Sequence, residues 1–194
     1  DNTVIQSYLL KNNFASIHGQ TIKTSGFRVT PEGYDLTFDI LKGKFPKYSI
    51  QNNSFNKSGT ADGELVGGNL ALIYALLGTK YSFDFKDKIL FIEDIGEKFY
   101  ALDRMIMSLE LAGVFRKIKG LIVGGMTLME DEKENMNYEE SFDEFSYKLI
   151  AERISKYDFP VIFGFPNGHI YDNRPLIIGA TISMTVGKKV EVKF

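Results

Sequence analysis

Cysteine is absent from the 194 residues, which excludes a disulfide framework, a thiol nucleophile and a thiolate metal site. Histidine is scarce: His18 and His169 are the only two, so a proton-transferring imidazole has few candidates. No excess of positive charge exists either, since 23 basic residues face 25 acidic ones for a formal net charge of -2. No Lys/Arg stripe concentrates the potential that a phosphate backbone would require, which argues against a nucleic-acid partner. No apolar run approaches the roughly 20 residues that span a bilayer, and Asp1-Asn2-Thr3-Val4-Ile5 lacks the basic and apolar regions of a signal peptide. What is present is ordinary globular composition, 44% hydrophobic and 25% charged, in a chain long enough for one core or for one domain with part of another.

Along the chain, Val4 to Leu10 reads as a short helix, Lys11-Asn12-Asn13 as a polar break and Phe14 to Ile17 as a strand. Residues 21 to 62 are rich in Gly, Ser, Asn and Thr, carry Pro31 and Pro46, and alternate only briefly over Tyr34 to Ile40, so extended connections and an interdomain linker are expected there. From residue 63 strands and helices alternate, the pattern of an α/β domain. Asn69 is placed to cap a helix of Leu70 to Leu77 that leaves at Gly78. Ile89 to Ile92, Leu121 to Val123 and Pro160 to Phe163 read as buried strands, with amphipathic helices over Glu97 to Leu111 and Phe142 to Tyr157. The six carboxylates between Glu130 and Glu140 suit a solvated loop, and Leu176 to Phe194 suits an antiparallel pair turning at Gly187-Lys188-Lys189.

Two segments could carry chemistry. Phe91-Ile92-Glu93-Asp94-Ile95-Gly96 sets two carboxylates directly after a buried strand, where open α/β sheets present functional groups; either could instead cap the following helix. Gly164-Phe165-Pro166-Asn167-Gly168-His169 also follows a strand, and its glycines and proline allow a sharp turn that presents the imidazole, or leaves a plain surface histidine. A carboxylate and an imidazole at neighbouring strand ends would suit a Ser-His-Glu triad, but Ser16, Ser25 and Ser54 lie on no recognisable nucleophile elbow. Gly67-Gly68-Asn69 could form a backbone nest for an anion, although two glycines without a Lys-Ser/Thr partner are common in turns.

Taken together, Gly67-Gly68-Asn69-Leu70, Leu90-Phe91-Ile92-Glu93-Asp94, Leu102-Asp103-Arg104-Met105 and Pro166-Asn167-Gly168-His169 with Asn173 resemble, in order and spacing, the serine LD-carboxypeptidases, from residue 1 to about residue 185. Those enzymes remove the terminal D-alanine of murein tetrapeptides, and their relatives include the microcin C immunity peptidase. The resemblance implies a swivelling β/β/α-like domain with a mixed sheet over residues 51–194. It makes residues 1–50 the tail of a Rossmann-like nucleophile domain and a linker. Asp1-Asn2-Thr3 looks like the end of the family's Gly-Tyr/Phe-Ser-Asp-x-Thr motif, and Phe14 to Gly19 matches its later strand and His-Gly pair.

By that alignment the nucleophile is the serine immediately before Asp1, the Asp1 backbone N–H is an oxyanion donor, and Glu93 and His169 are the catalytic partners. Asp94 is then a helix-capping neighbour, Asn69, Arg104 and Asn173 shape the site, and His18 is structural or lines the pocket. No metal or organic cofactor, a murein-peptide substrate, a homodimer and a cytoplasmic location are implied. Without the serine, the chain alone is expected to be inactive. Gly96-Glu97-Lys98-Phe99-Tyr100 running into Leu102-Asp103-Arg104 favours the murein enzymes over the microcin-immunity type. A non-catalytic module binding peptidoglycan fragments or a nucleotide is the rival from another class.

Overall fold

The computed structural model describes residues 2–21, 30–129 and 142–194, the last stretch beginning with backbone only at Phe142. The expected acidic loop and Asp1 lie outside the described residues. The fold is mixed α/β. In chain order the elements are α1 (Asn2–Lys11), β1 (Ser16–His18), α2 (Pro31–Leu41), β2 (Lys47–Ile50), β3 (Gly59–Asn69), α3 (Leu70–Leu76) and β4 (Ile89–Ile95). They continue with α4 (Phe99–Leu111), β5 (Gly120–Thr127), α5 (Phe142–Ile154), β6 (Val161–Phe163), β7 (Leu176–Ile178), β8 (Thr181–Val186) and β9 (Val190–Lys193).

A seven-stranded sheet runs β2-β9-β8-β3-β4-β5-β6. Its β3-β4-β5-β6 half is parallel and its other pairings are antiparallel, so β3 is where the two halves meet. The sequence shows why. Ile89, Leu90, Phe91 and Ile92 are successive and all fully buried, as a strand covered on both faces demands. In β8 burial alternates, with Ile182, Met184 and Val186 inward and Thr181, Ser183 and Thr185 outward, as one wet face demands. β1 and β7 form a separate two-stranded sheet, while α1 packs on α3 and β3.

Most of the expected elements form, with boundaries moved by a few residues. The stretch 21–62 differs most, because it holds α2, β2 and the start of β3 rather than connections alone. The brief alternation over Tyr34 to Ile40 is a misread period: Gly33 and Ile40 are buried with Leu36 and Thr37 half-buried between them, which is helical spacing. The start signal is Thr30, whose Oγ1 accepts from Gly33 N at 3.4 Å ahead of Pro31 and Glu32 in the first turn. At the C-terminal end the structure has three strands where two are expected, because Gly179 (φ 92°) breaks β7 from β8 and sends them to different sheets.

Leu90→Ala, in the centre of the parallel half, is expected to lower unfolding free energy by about 2–5 kcal/mol in urea denaturation. Leu111→Ala, at a position 76% exposed, should stay within about 0.5 kcal/mol.

Candidate active site

Glu93 sits near the carboxyl end of β4, in parallel register opposite Asn69 of β3. On its other side the pairing with β5 shifts between Ile92 and Asp94, a bulge that re-aims the intervening side chain. The carboxylate is almost wholly enclosed, at 1% exposure. A carboxylate so far from water needs N–H donors.

His169 supplies one. The loop after β6 folds back over β5: Phe165 N donates to Val123 O at 3.0 Å and Gly125 N donates to Asn167 O at 3.0 Å. This approach requires Gly124, where a Cβ would stand 2.4 Å from Asn167 O, and Gly168, which has φ 123° and would bring a Cβ within 3.0 Å of the Glu93 side chain. Buried Asn167 braces the loop, its Nδ2 donating to the carbonyls of His18 (3.0 Å) and Arg174 (2.6 Å), and Gly168 N lies 3.4 Å from Asn173 Oδ1. The result is His169 Nδ1 at 2.9 Å from Glu93 Oε2, on a side chain still 51% exposed. The carboxylate engages Nδ1, so Nε2 is the nitrogen left to exchange protons, as a triad histidine requires.

His18 stands on the other carboxylate oxygen, with Nε2 3.9 Å from Glu93 Oε1 and its ring edge-on to Phe91. Its Nδ1 meets Gln6 Oε1 at 3.0 Å. The pKa values of the two rings are shifted in opposite directions. The hydrogen bond to Glu93 raises the His169 pKa above the usual 6.5 against the opposing effect of burial. Burial lowers that of His18, with Glu93 pulling it back and His169 adding to the depression.

Asp94 points elsewhere. Its Oδ1 accepts from Asn69 Nδ2 at 2.9 Å and its Oδ2 from Ala71 N at 3.1 Å, while Asn69 Oδ1 caps Leu72 N at 3.2 Å. It therefore anchors α3, the helix before β4, and not α4, whose start at Lys98 has no side-chain cap. Burial pushes its pKa to about 6 despite donors that favour the charged form. Its stabilising contribution is fully present below its ordinary 3.8 and lost as pH rises through about 6.

The other expected residues divide. Asn69 and Asn173 are built into the frame of the Glu93–His169 pair, whereas Arg104 lies exposed on α4, its guanidinium 5.3 Å from the Tyr100 ring centroid. Neighbouring Asp103 forms a two-pronged pair with Arg153 of α5 at 2.7 Å, so that motif joins helices. The Gly67-Gly68 pair is not a turn: both lie inside β3, where a Cβ would meet Phe91 O at 1.9 Å and Thr3 Oγ1 at 2.6 Å respectively. Of the bracing residues, Asn167 lies in the Pro166-Asn167-Gly168-His169 motif, whereas Gln6 carries no sequence signal and Gly124 is marked only by the glycine doublet within a strand. An open cleft of about 790 Å³ lies at the amino ends of the strands, beside Thr60, Phe115 and Pro160, at the far end of the sheet from Glu93. Among the described residues no group of three or more His, Asp or Glu could hold a metal.

Residues 62–184, from β3 into β8 and including both Glu93 and His169, match the family model for the LD-carboxypeptidase C-terminal domain. The chain belongs to the LD-carboxypeptidase family. A probable murein peptide carboxypeptidase of Bacillus subtilis (strain 168) is 34% identical over 136 residues, 69% of this chain and 40% of the relative. The microcin C7 self-immunity protein MccF of Escherichia coli is 26% identical over 146 residues, 74% of this chain and 40% of that protein. Among solved structures, the muramoyltetrapeptide carboxypeptidase from Oxalobacter formigenes superposes with a TM-score of 0.85 at 25% identity, over all of this chain and 66% of that one. The chain thus spans about half the length of the curated relatives it matches, 40% and 57% of two of them.

Titration of the two imidazoles by NMR should place His169 above 6.5 and His18 below it, and Glu93→Gln should move the His169 midpoint down.

Proposed function

We propose that this chain carries the histidine–glutamate half of a serine LD-carboxypeptidase that releases the terminal D-alanine of murein tetrapeptides. The observation that carries the reading is the 2.9 Å contact of His169 Nδ1 with the enclosed Glu93, with Nε2 left for chemistry. The family membership and the murein-peptide relatives support the substrate class. In this reading a serine immediately ahead of Asp1 is the nucleophile, and the Asp1 backbone N–H is one oxyanion donor.

Serine Oγ attacks the carbonyl carbon of the scissile amide while His169 Nε2 takes its proton. Glu93 holds the ring and stabilises the imidazolium. Collapse of the tetrahedral intermediate breaks the C–N bond as His169 returns the proton to the leaving amine of D-alanine. Water then attacks the acyl-serine as His169 accepts its proton; the acyl C–O bond breaks, His169 returns the proton to the serine Oγ, and the shortened peptide leaves with a free carboxylate. The raised His169 pKa sets the sign of the pH dependence: the ring must be neutral to act as base, so activity rises with pH through a midpoint above 6.5.

In full-length protein assayed for D-alanine release, Glu93→Gln is expected to lower kcat about 10⁴-fold and His169→Ala about 10⁶-fold, with the acid limb of kcat/KM above pH 6.5. A rate indifferent to His169→Ala sinks the proposal. The likeness to the microcin self-immunity protein supports a second reading, cleavage of a peptidyl-aminoacyl nucleotide. Turnover of murein tetrapeptide and processed microcin side by side distinguishes the two.

A further inference from the structure

The buried face of α1 is polar. Thr3, Gln6 and Ser7 are the residues of this helix that the fold encloses, and Thr3 is 1% exposed. An α-helix normally buries an apolar stripe, because burying polar groups is unfavourable unless each finds a partner. Here each does, and two of the partners belong to the candidate site. Thr3 Oγ1 accepts from Asn69 N at 3.0 Å, and Asn69 is the β3 residue in register with Glu93. Gly68 makes room for this contact, since a Cβ there would stand 2.6 Å from Thr3 Oγ1.

Gln6 reaches the other half. Its Oε1 meets His18 Nδ1 at 3.0 Å, and because an amide oxygen only accepts, the proton of this contact is on the ring. His18 in turn gives its backbone carbonyl to Asn167 Nδ2 at 3.0 Å, within the loop that delivers His169. Ser7 Oγ bonds the Tyr81 carbonyl and pins the middle of the helix. One helix is thus tied by separate polar contacts to the neighbour of Glu93 and to the loop of His169.

We propose that the buried polar face of α1 is a positioning device, in which Thr3 and Gln6 fix the N-terminal end of α1, and with it the nucleophile, against the strand of Glu93 and the loop of His169. The inference rests on the serine-hydrolase reading given above. It makes Thr3 and Gln6 positioning residues, not catalytic ones. Hydrogen bonds suit this task better than apolar contacts because their geometry is directional, and a displacement of about 1 Å at a reacting group can cost about 10²-fold in rate.

The test uses Thr3→Val, which keeps the shape and removes the acceptor, Thr3→Ser, which restores it, and Gln6→Leu, all in the full-length protein. Thr3→Val and Gln6→Leu are expected to lower kcat about 10²-fold with KM little changed, and Thr3→Ser to recover most of the loss. A kcat unchanged in Thr3→Val, or a loss that Thr3→Ser does not recover, overturns the proposal. Glu93→Gln and His169→Ala report on the parent reading separately: if they abolish hydrolysis while Thr3→Val does not, the pair stands and the device falls. Hydrogen exchange on the chain itself is independent of turnover. The Asn69 amide should exchange faster in Thr3→Val at unchanged melting temperature, and an exchange rate equal to wild type also overturns the proposal.

Discussion

A carboxylate withdrawn from water constrains everything near it. Glu93 keeps almost no solvent contact, so its carboxylate depends on the His169 N–H that faces it, and the surrounding chain is shaped to bring that donor. The β4–β5 bulge turns the side chain, glycines at 124 and 168 let a loop lie closer than any side chain would permit, and Asn167 holds that loop from beneath. The same enclosure gives the pair its electrostatic character. A proton on His169 is held by an acceptor that has few competitors, while burial lowers the pKa of His18, deeper in the structure.

The parts of this arrangement legible in the sequence are those with short-range signatures. Ile89 to Ile92 is an uninterrupted apolar run, so a buried strand leading into Glu93 follows from the local sequence. Pro166 to His169 after another such run gives a turn with an imidazole at its tip. The resemblance joins the two, which no local pattern could do, because 76 residues separate Glu93 from His169. Asn69 as a helix cap is equally local. The helix α2 is masked by the brief alternation over Tyr34 to Ile40, although Thr30-Pro31-Glu32 marks its start, because a stretch this short can be scored at either period.

Long-range polar contacts left no comparable trace. Asp94 reads as the cap of the helix that follows it, yet strand order places the start of the preceding helix beside it, and sheet neighbours cannot be read from chain neighbours. The contacts of Gln6 and Thr3 emerge only when α1 is seen against β3 and β1. Composition also hides the roles of Gly67 and Gly68: they suit an anion-binding turn and a crowded strand equally well, and the proximity of Phe91 and Thr3 decides for the strand.

Adjacent residues on β4 present identical charged groups to opposite tasks, Glu93 to an imidazole and Asp94 to the start of α3. Because strand side chains alternate in direction, loss of one residue upstream in β4 would bring Asp94 to the position Glu93 now holds and Ile95 to that of Asp94. The shorter carboxylate would then face His169, and the start of α3 would lose its carboxylate. Two contacts separated by a single peptide unit thus tie this strand to a fixed length ahead of Glu93.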